Sequence, residues 1–196
     1  LNIENSGNMI TDANLTLTSN SGDINNSGNI TTLETLTLNA NLGEIINNAG
    51  ASLGYIAISN SEDDEIVEVL AQNLVINSLT LDNKSLIRAQ DHIIITLDSV
   101  TNGFTSDEVT SGSSNEEVKI VSAGTATIIA NQIDNYSELS SLEDFTITSN
   151  IINNSGADAI IAVGLVASDA TPDLTTLLTI NSNNVLLVVP CIVITV

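Results

Sequence analysis

Short aliphatic triplets that return every 18 to 21 residues, separated by Asn-Gly corners, predict an all-β chain wound as a single-stranded parallel β-helix (a solenoid) of about 20 residues per coil. Three observations carry this. The first is the recurrence: Leu15-Thr16-Leu17, Leu36-Thr37-Leu38 and Ile56-Ala57-Ile58 are followed by starts at Leu74 and Ile93. The second is period-two alternation over three to five residues, punctuated by Asn, Ser and Gly, which marks short half-buried strands. The third is a fixed interval of twelve residues. It separates Ile3 from Leu15, Ile24 from Leu36 and Ile133 from Phe145, and opens each time on an Ile-x-Asn triplet. Helix-pair repeats are longer, at about 33 residues or more, and no helical period appears. Strands stacked about 4.8 Å apart in roughly ten coils would build a rod of order 45 Å.

Each stretch reads in turn. Residues 1–98 are regular coils, cleanest over 1–60 and looser through Leu74-Val75-Ile76, Leu79-Thr80-Leu81 and Ile93-Ile94-Ile95. Residues 99–124 break the pattern: Ser99 to Glu117 is polar and reads as an excursion from the rod, with strand resuming at Val118-Lys119-Ile120-Val121. Residues 125–196 return to coils at Ala126–Ala130, Ile133, Phe145–Thr148 and Ile151–Gly156. Ala157–Ala170 is Ala-rich and fits strand or a short helix. Val185–Val196 is almost wholly apolar apart from Pro190, too short to span a bilayer, and reads as buried strand at a truncated end. The start inside a repeat reads as an internal fragment or processed product.

Composition bounds the function. Leu, Ile, Val and Phe make about a third of the 196 residues, enough for a core despite a formal charge of −21. The core material is aliphatic, with no Trp, two Tyr and two Phe, which suits a narrow layered interior better than a rounded one. Lys84, Arg88 and Lys119 face 24 acidic residues, so neither a nucleic acid nor an anionic membrane surface is an expected partner. Cys191 stands alone and forms no intrachain disulfide.

The candidate residues are mostly structural. Asn-Asn pairs followed by Gly mark a turn ladder at Asn26, Gly28, Asn48, Gly50, Asn154 and Gly156, because Asn and Gly tolerate tight corners and stacked amides bond along an axis. Asp23 and Glu44 occupy equivalent repeat positions and are expected to stack. Glu62, Asp63, Asp64 and Glu65 form the densest acidic cluster; they are the weak calcium candidate, read in preference as a solvated turn because no EF-hand or Gly-Gly-x-Gly-x-Asp loop accompanies them. His92 is the sole histidine, which excludes a multi-imidazole zinc site and limits any nucleophilic triad. No phosphate loop, dinucleotide fingerprint or Gly-x-Ser-x-Gly occurs. No cofactor and no catalytic residue is expected.

Leu15-Thr-Leu17, Gly22-Asp-Ile24-Asn-Asn26-Ser-Gly28-Asn-Ile30 and Leu36-Thr-Leu38, with Gly43-Glu-Ile45-Ile-Asn47-Asn-Ala-Gly50, resemble the haemagglutinin-type repeats of filamentous haemagglutinin and related two-partner-secreted exoproteins. The likeness covers the first 60 residues well, 126–156 partly, and 60–120 poorly. It implies a right-handed β-helix, secreted or on a bacterial cell surface, that acts as a rigid stalk and adhesive surface and carries no catalytic residues. Its expected partner is a receptor or glycan on a host or neighbouring cell. Two other expectations stand beside it: a carbohydrate-active β-helix enzyme using paired carboxylates, and a fibre subunit that associates end to end through open strand edges.

Overall fold

The structure is a computed structural model that describes residues 1–60, 65–164, 177–188 and 192–194. The chain is a parallel β-helix. The first coil holds β1 (Ile3–Asn5) and β2 (Asn8–Thr11), and the second holds β3 (Leu15–Ser19), β4 (Ile24–Asn26) and β5 (Asn29–Thr32). The third holds β6 (Thr35–Asn47) and β7 (Ser52–Leu53), and is followed by a hairpin of β8 (Tyr55–Asn60) and β9 (Glu65–Leu70). Next come β10 (Asn73–Asn83), β11 (Leu86–Ala89), β12 (His92–Asn102), a short helix α1 (Ser106–Thr110) and β13 (Lys119–Ser122). The last three coils hold β14 (Thr125–Asn135) with β15 (Glu138–Ser141), β16 (Phe145–Ser155) with β17 (Ile160–Val163), and β18 (Leu178–Val188) with β19 (Ile192–Ile194).

All pairing along the rod is parallel. One sheet runs β1-β4-β6-β10-β12-β14-β16-β18, with β3 also on β6; the other runs β19-β17-β15-β13-β11-β7-β5-β2. The long strands bend midway, since Asn77 pairs Thr96 and the ladder resumes at Thr80 with Ser99, skipping the corner at Leu79 and Asp98. In the second coil the bend is a full break between β3 and β4. Each coil therefore presents a first face (the leading half of the long strand), a second face (its trailing half) and a third face in the other sheet.

Aliphatic columns fill the interior. Leu17, Leu38, Ile76, Ile95, Ile128, Ile147 and Ile180 stack in register. So do Ile3, Ile24, Ile45, Leu81, Val100, Ile133 and Ile152. From Ile24 to Ile152 the latter column has at most 1% exposure. One column mixes sizes: Ala126 lies between Ile93 and the buried ring of Phe145, so a small residue makes room for the large one beside it.

The spacing departs from the sequence expectation in instructive ways. The first inward positions of the first face, Leu15, Leu36, Leu74, Ile93, Ala126, Phe145 and Leu178, are register partners in succession, 21, 38, 19, 33, 19 and 33 residues apart. Ile56-Ala57-Ile58 is thus not a coil start. It belongs to β8, which pairs antiparallel with β9 in a hairpin outside the rod. Among the described residues the main sheet path has eight rungs, about 34 Å at strand spacing, where roughly ten were expected. The polar excursion also begins later than 99: Ser99–Asn102 finish β12, with Val100 and Asn102 fully buried, while β13 over Lys119–Ser122 falls where strand was expected to resume. At the C-terminal end Val185 is 43% exposed, against the expectation of a buried strand.

Candidate interaction face

Inside the rod one polar column runs beside the aliphatic ones. Asn5 donates to Asn26 (2.8 Å), Asn26 to Asn47 (3.0 Å), Asn47 to Asn83 (2.8 Å), Asn83 to Asn102 (2.8 Å), Asn102 to Asn135 (2.8 Å) and Asn135 to Asn154 (2.6 Å), always Nδ2 to Oδ1. The second Nδ2 hydrogen serves a carbonyl across the corner, such as Ser52, Leu86, Glu138 or Ile160. Oδ1 also accepts from the backbone two residues on, as Gly28 N does to Asn26 and Ser85 N to Asn83. Buried amides with their hydrogen bonds made stiffen a structure instead of costing it stability. The ladder ends at Asn154, whose register partner in the next coil is Leu187.

Two of the corner asparagines expected from the sequence, Asn26 and Asn154, belong to this ladder; the third coil uses Asn47. Asn48 lies outside it and donates to Asn26 O (3.1 Å) and Ser27 Oγ (3.0 Å). Every ladder residue ends an aliphatic-x-Asn triplet, including Leu81-x-Asn83 and Val100-x-Asn102. That sequence signal is real but shared, since Asn48, Asn77, Asn131 and Asn153 outside the ladder also follow an aliphatic residue by two. The corner glycines differ in reason. Gly50 and Gly156 have φ of 78° and 115°, whereas at Gly28 a Cβ would lie 2.1 Å from the carbonyl oxygen of Gly7 one coil earlier.

The outward residues sort by face. On the first face, one column is Thr16, Thr37, Val75, Ile94, Thr127, Thr146 and Thr179, and its neighbour is Thr18, Asn39, Asn77, Thr96, Ile129, Thr148 and Asn181. All fourteen are half-buried or exposed, and none carries a charge. The second face carries Glu4, Glu44, Asp82 and Asp134, with Asp23 just ahead of β4. Asp23 Oδ1 accepts from Glu44 N at 3.0 Å, so this stacked acidic pair caps backbone. A groove of about 530 Å³ follows the corner between these faces, lined by Leu97, Asp98, Asn131, Thr148, Asn150 and Asn183 among others. Its amides form their own exposed ladder: Asn131 to Asp98 (3.1 Å), Asn150 to Asn131 (3.1 Å) and Asn183 to Asn150 (3.0 Å).

The three cations sit elsewhere, and two of them tie insertions to the rod. Lys84 donates to Gly103 O at 2.8 Å, lies 3.4 Å from Asp82 and 3.5 Å from Glu108, and stands over the Phe104 ring. Arg88 approaches Glu68 at 3.9 Å and the Tyr55 ring, both on the hairpin. Lys119 pairs with Glu138 at 3.7 Å. Burial and the bond to Glu68 raise the Tyr55 phenol, and burial followed by Asp134 and Glu108 raises that of Tyr136. Hydrogen bonds from the Thr105 backbone and side chain hold the Glu108 carboxyl below its ordinary value, as befits a capping box.

Of the acidic cluster, Glu62, Asp63 and Asp64 lie outside the described residues, as does Cys191; Glu65 opens β9. Among the described residues no group of three or more His, Cys, Asp or Glu is placed to hold a metal ion. His92 is exposed, its Nδ1 2.8 Å from Thr125 Oγ1. Among the described residues no helix is long and apolar enough to cross a membrane. The fold and its faces define a parallel β-helical solenoid. No family model, curated protein or solved structure matches the chain.

Proposed function

We propose that this chain is a structural and adhesive segment of a secreted or surface-exposed bacterial exoprotein of the filamentous haemagglutinin type, serving as a rigid stalk and interaction surface. The observation that supports it is the unbroken asparagine ladder, running with the aliphatic columns from Asn5 to Asn154. A column that bonds seven successive coils resists bending and shear, the property a stalk needs. The first face supplies the uncharged surface on which a partner docks. Antibodies raised against the chain should label intact source cells without permeabilisation. Labelling seen only in permeabilised cells would overturn the surface reading.

A further inference from the structure

We infer that the first face docks on ice, so that ordered water is the partner of the interaction surface proposed above. The inference rests on that reading only for the face being free to bind. In a chain of net charge −21, excluding every ionisable group from fourteen outward positions leaves a patch with no affinity for a charged partner. Carboxylates organise water around themselves in a pattern that a crystal of water cannot continue; the fourteen positions have none, and Asp98 borders them at the corner, on the groove that Ile129, Thr148 and Asn181 also line.

The geometry points the same way. Rungs lie about 4.8 Å apart and alternate residues along a strand about 6.6 Å apart, so the face repeats in two directions set by the backbone. Eleven of the fourteen residues are Thr, Val or Ile, whose branched side chains have stiff χ1 angles. Methyl groups and hydroxyls are therefore held as a fixed array. The methyls favour caged water, and the hydroxyls anchor it by hydrogen bonds; Asn77 donates to Asn39 (2.9 Å) and Asn39 to Thr18 (3.3 Å), which fixes these side chains in the array and leaves their second amide hydrogens for water. A rigid periodic solid is recognised by such an array.

Other occupants fit less well. None of Tyr55, Phe104, Tyr136 and Phe145 is among the outward residues of this face, so a sugar chain finds no ring to stack on. For a second copy, the face offers about 29 Å along the axis and about 13 Å across. That is about 400 Å² per partner, half of the roughly 800 Å² that a stable interface buries on each side.

The test uses the full chain, fluorescently labelled, in a growing ice hemisphere and in an ice-recrystallisation assay. The wild-type chain should be taken into the ice and should slow recrystallisation. The double variant Thr127→Lys with Thr148→Lys should lose most of both effects, and Thr18→Lys at the other end of the face should lose part of them. Thr101→Lys on the second face should keep them, with circular dichroism unchanged in all. Exclusion of the wild-type chain from ice overturns the inference without reference to any variant. So does equal loss in Thr101→Lys, retention on neutral polysaccharide beads without ice uptake, or a stable dimer by sedimentation. If ice uptake fails while antibodies still label intact cells, this inference falls and the surface reading stands.

Discussion

Replacing Asn102 by Ala should be among the most damaging single changes in the chain. The residue is fully buried at the middle of the ladder. Its loss strands one Nδ2 hydrogen of Asn83, removes a donor from Asn135 Oδ1, and removes another from Glu138 O. A buried donor left unpaired costs about 1–3 kcal/mol, and each weakened acceptor about 1 kcal/mol more, so the sum is about 3–5 kcal/mol. Asn154→Ala, at the ladder's end, strands only the Asn135 donor and the Ala159 carbonyl, and should cost about 1 kcal/mol less. Asn150→Ala removes the same bond type from the exposed ladder, where water replaces it, and should cost about 0.5 kcal/mol or less. Native-state hydrogen exchange across β10, β12 and β14, with urea melts followed by circular dichroism, ranks the three. Equal costs for Asn102 and Asn150 would refute the reasoning. Asn102→Asp adds a signature in pH. Its buried carboxylate would face Asn135 Oδ1 and Glu138 O, so its folded pKa rises above the unfolded value of about 3.9. The variant should be most stable below that value and lose stability as pH climbs through the raised folded pKa.

Three further outcomes follow from the packing and the tethers. Phe145→Ala should cost about 3–5 kcal/mol, and adding Ala126→Leu in the same column should recover part of it, a non-additivity read by a double-mutant cycle of urea melts. Arg88→Ala should leave the melting of the rod nearly unchanged yet speed limited proteolysis within 55–70, since it frees the hairpin from an exposed ion pair and a cation–π contact worth about 1 kcal/mol together. Lowering the pH through the depressed folded pKa of Glu108 should fray α1, because a carboxylate stabilised in the folded state contributes above its unfolded pKa and is lost below it; amide exchange of residues 105–111 reads this, and no pH effect there would count against the capping box.

Much of the architecture was legible in the chain because its signals are local. Alternation of Leu and Thr at 15–18 and 36–38 places one side chain in and the next out, and the Ile-x-Asn triplets mark where a coil turns. Even the uncharged face is written in those strings. Partnership between strands is not local. Ile56-Ala57-Ile58 alternates as well as any coil start, yet its partners are Val69, Glu68 and Val67 in an antiparallel hairpin. Asn47 and Asn48 are adjacent and chemically identical. Only the register Ile45↔Leu81, Asn47↔Asn83 decides which of them points inward to the ladder.

What the sequence determined alone is that strands form and which aliphatic residues they turn inward, since steric alternation and apolar burial act over neighbours a few positions apart; that the leading strands run on through a bend to 11 or 13 residues did not show in it. What only the tertiary structure decided is which strand lies beside which. Insertions stretch the coil-to-coil step from 19 residues to 33 or 38, and a two-residue period repeats too soon to count across them.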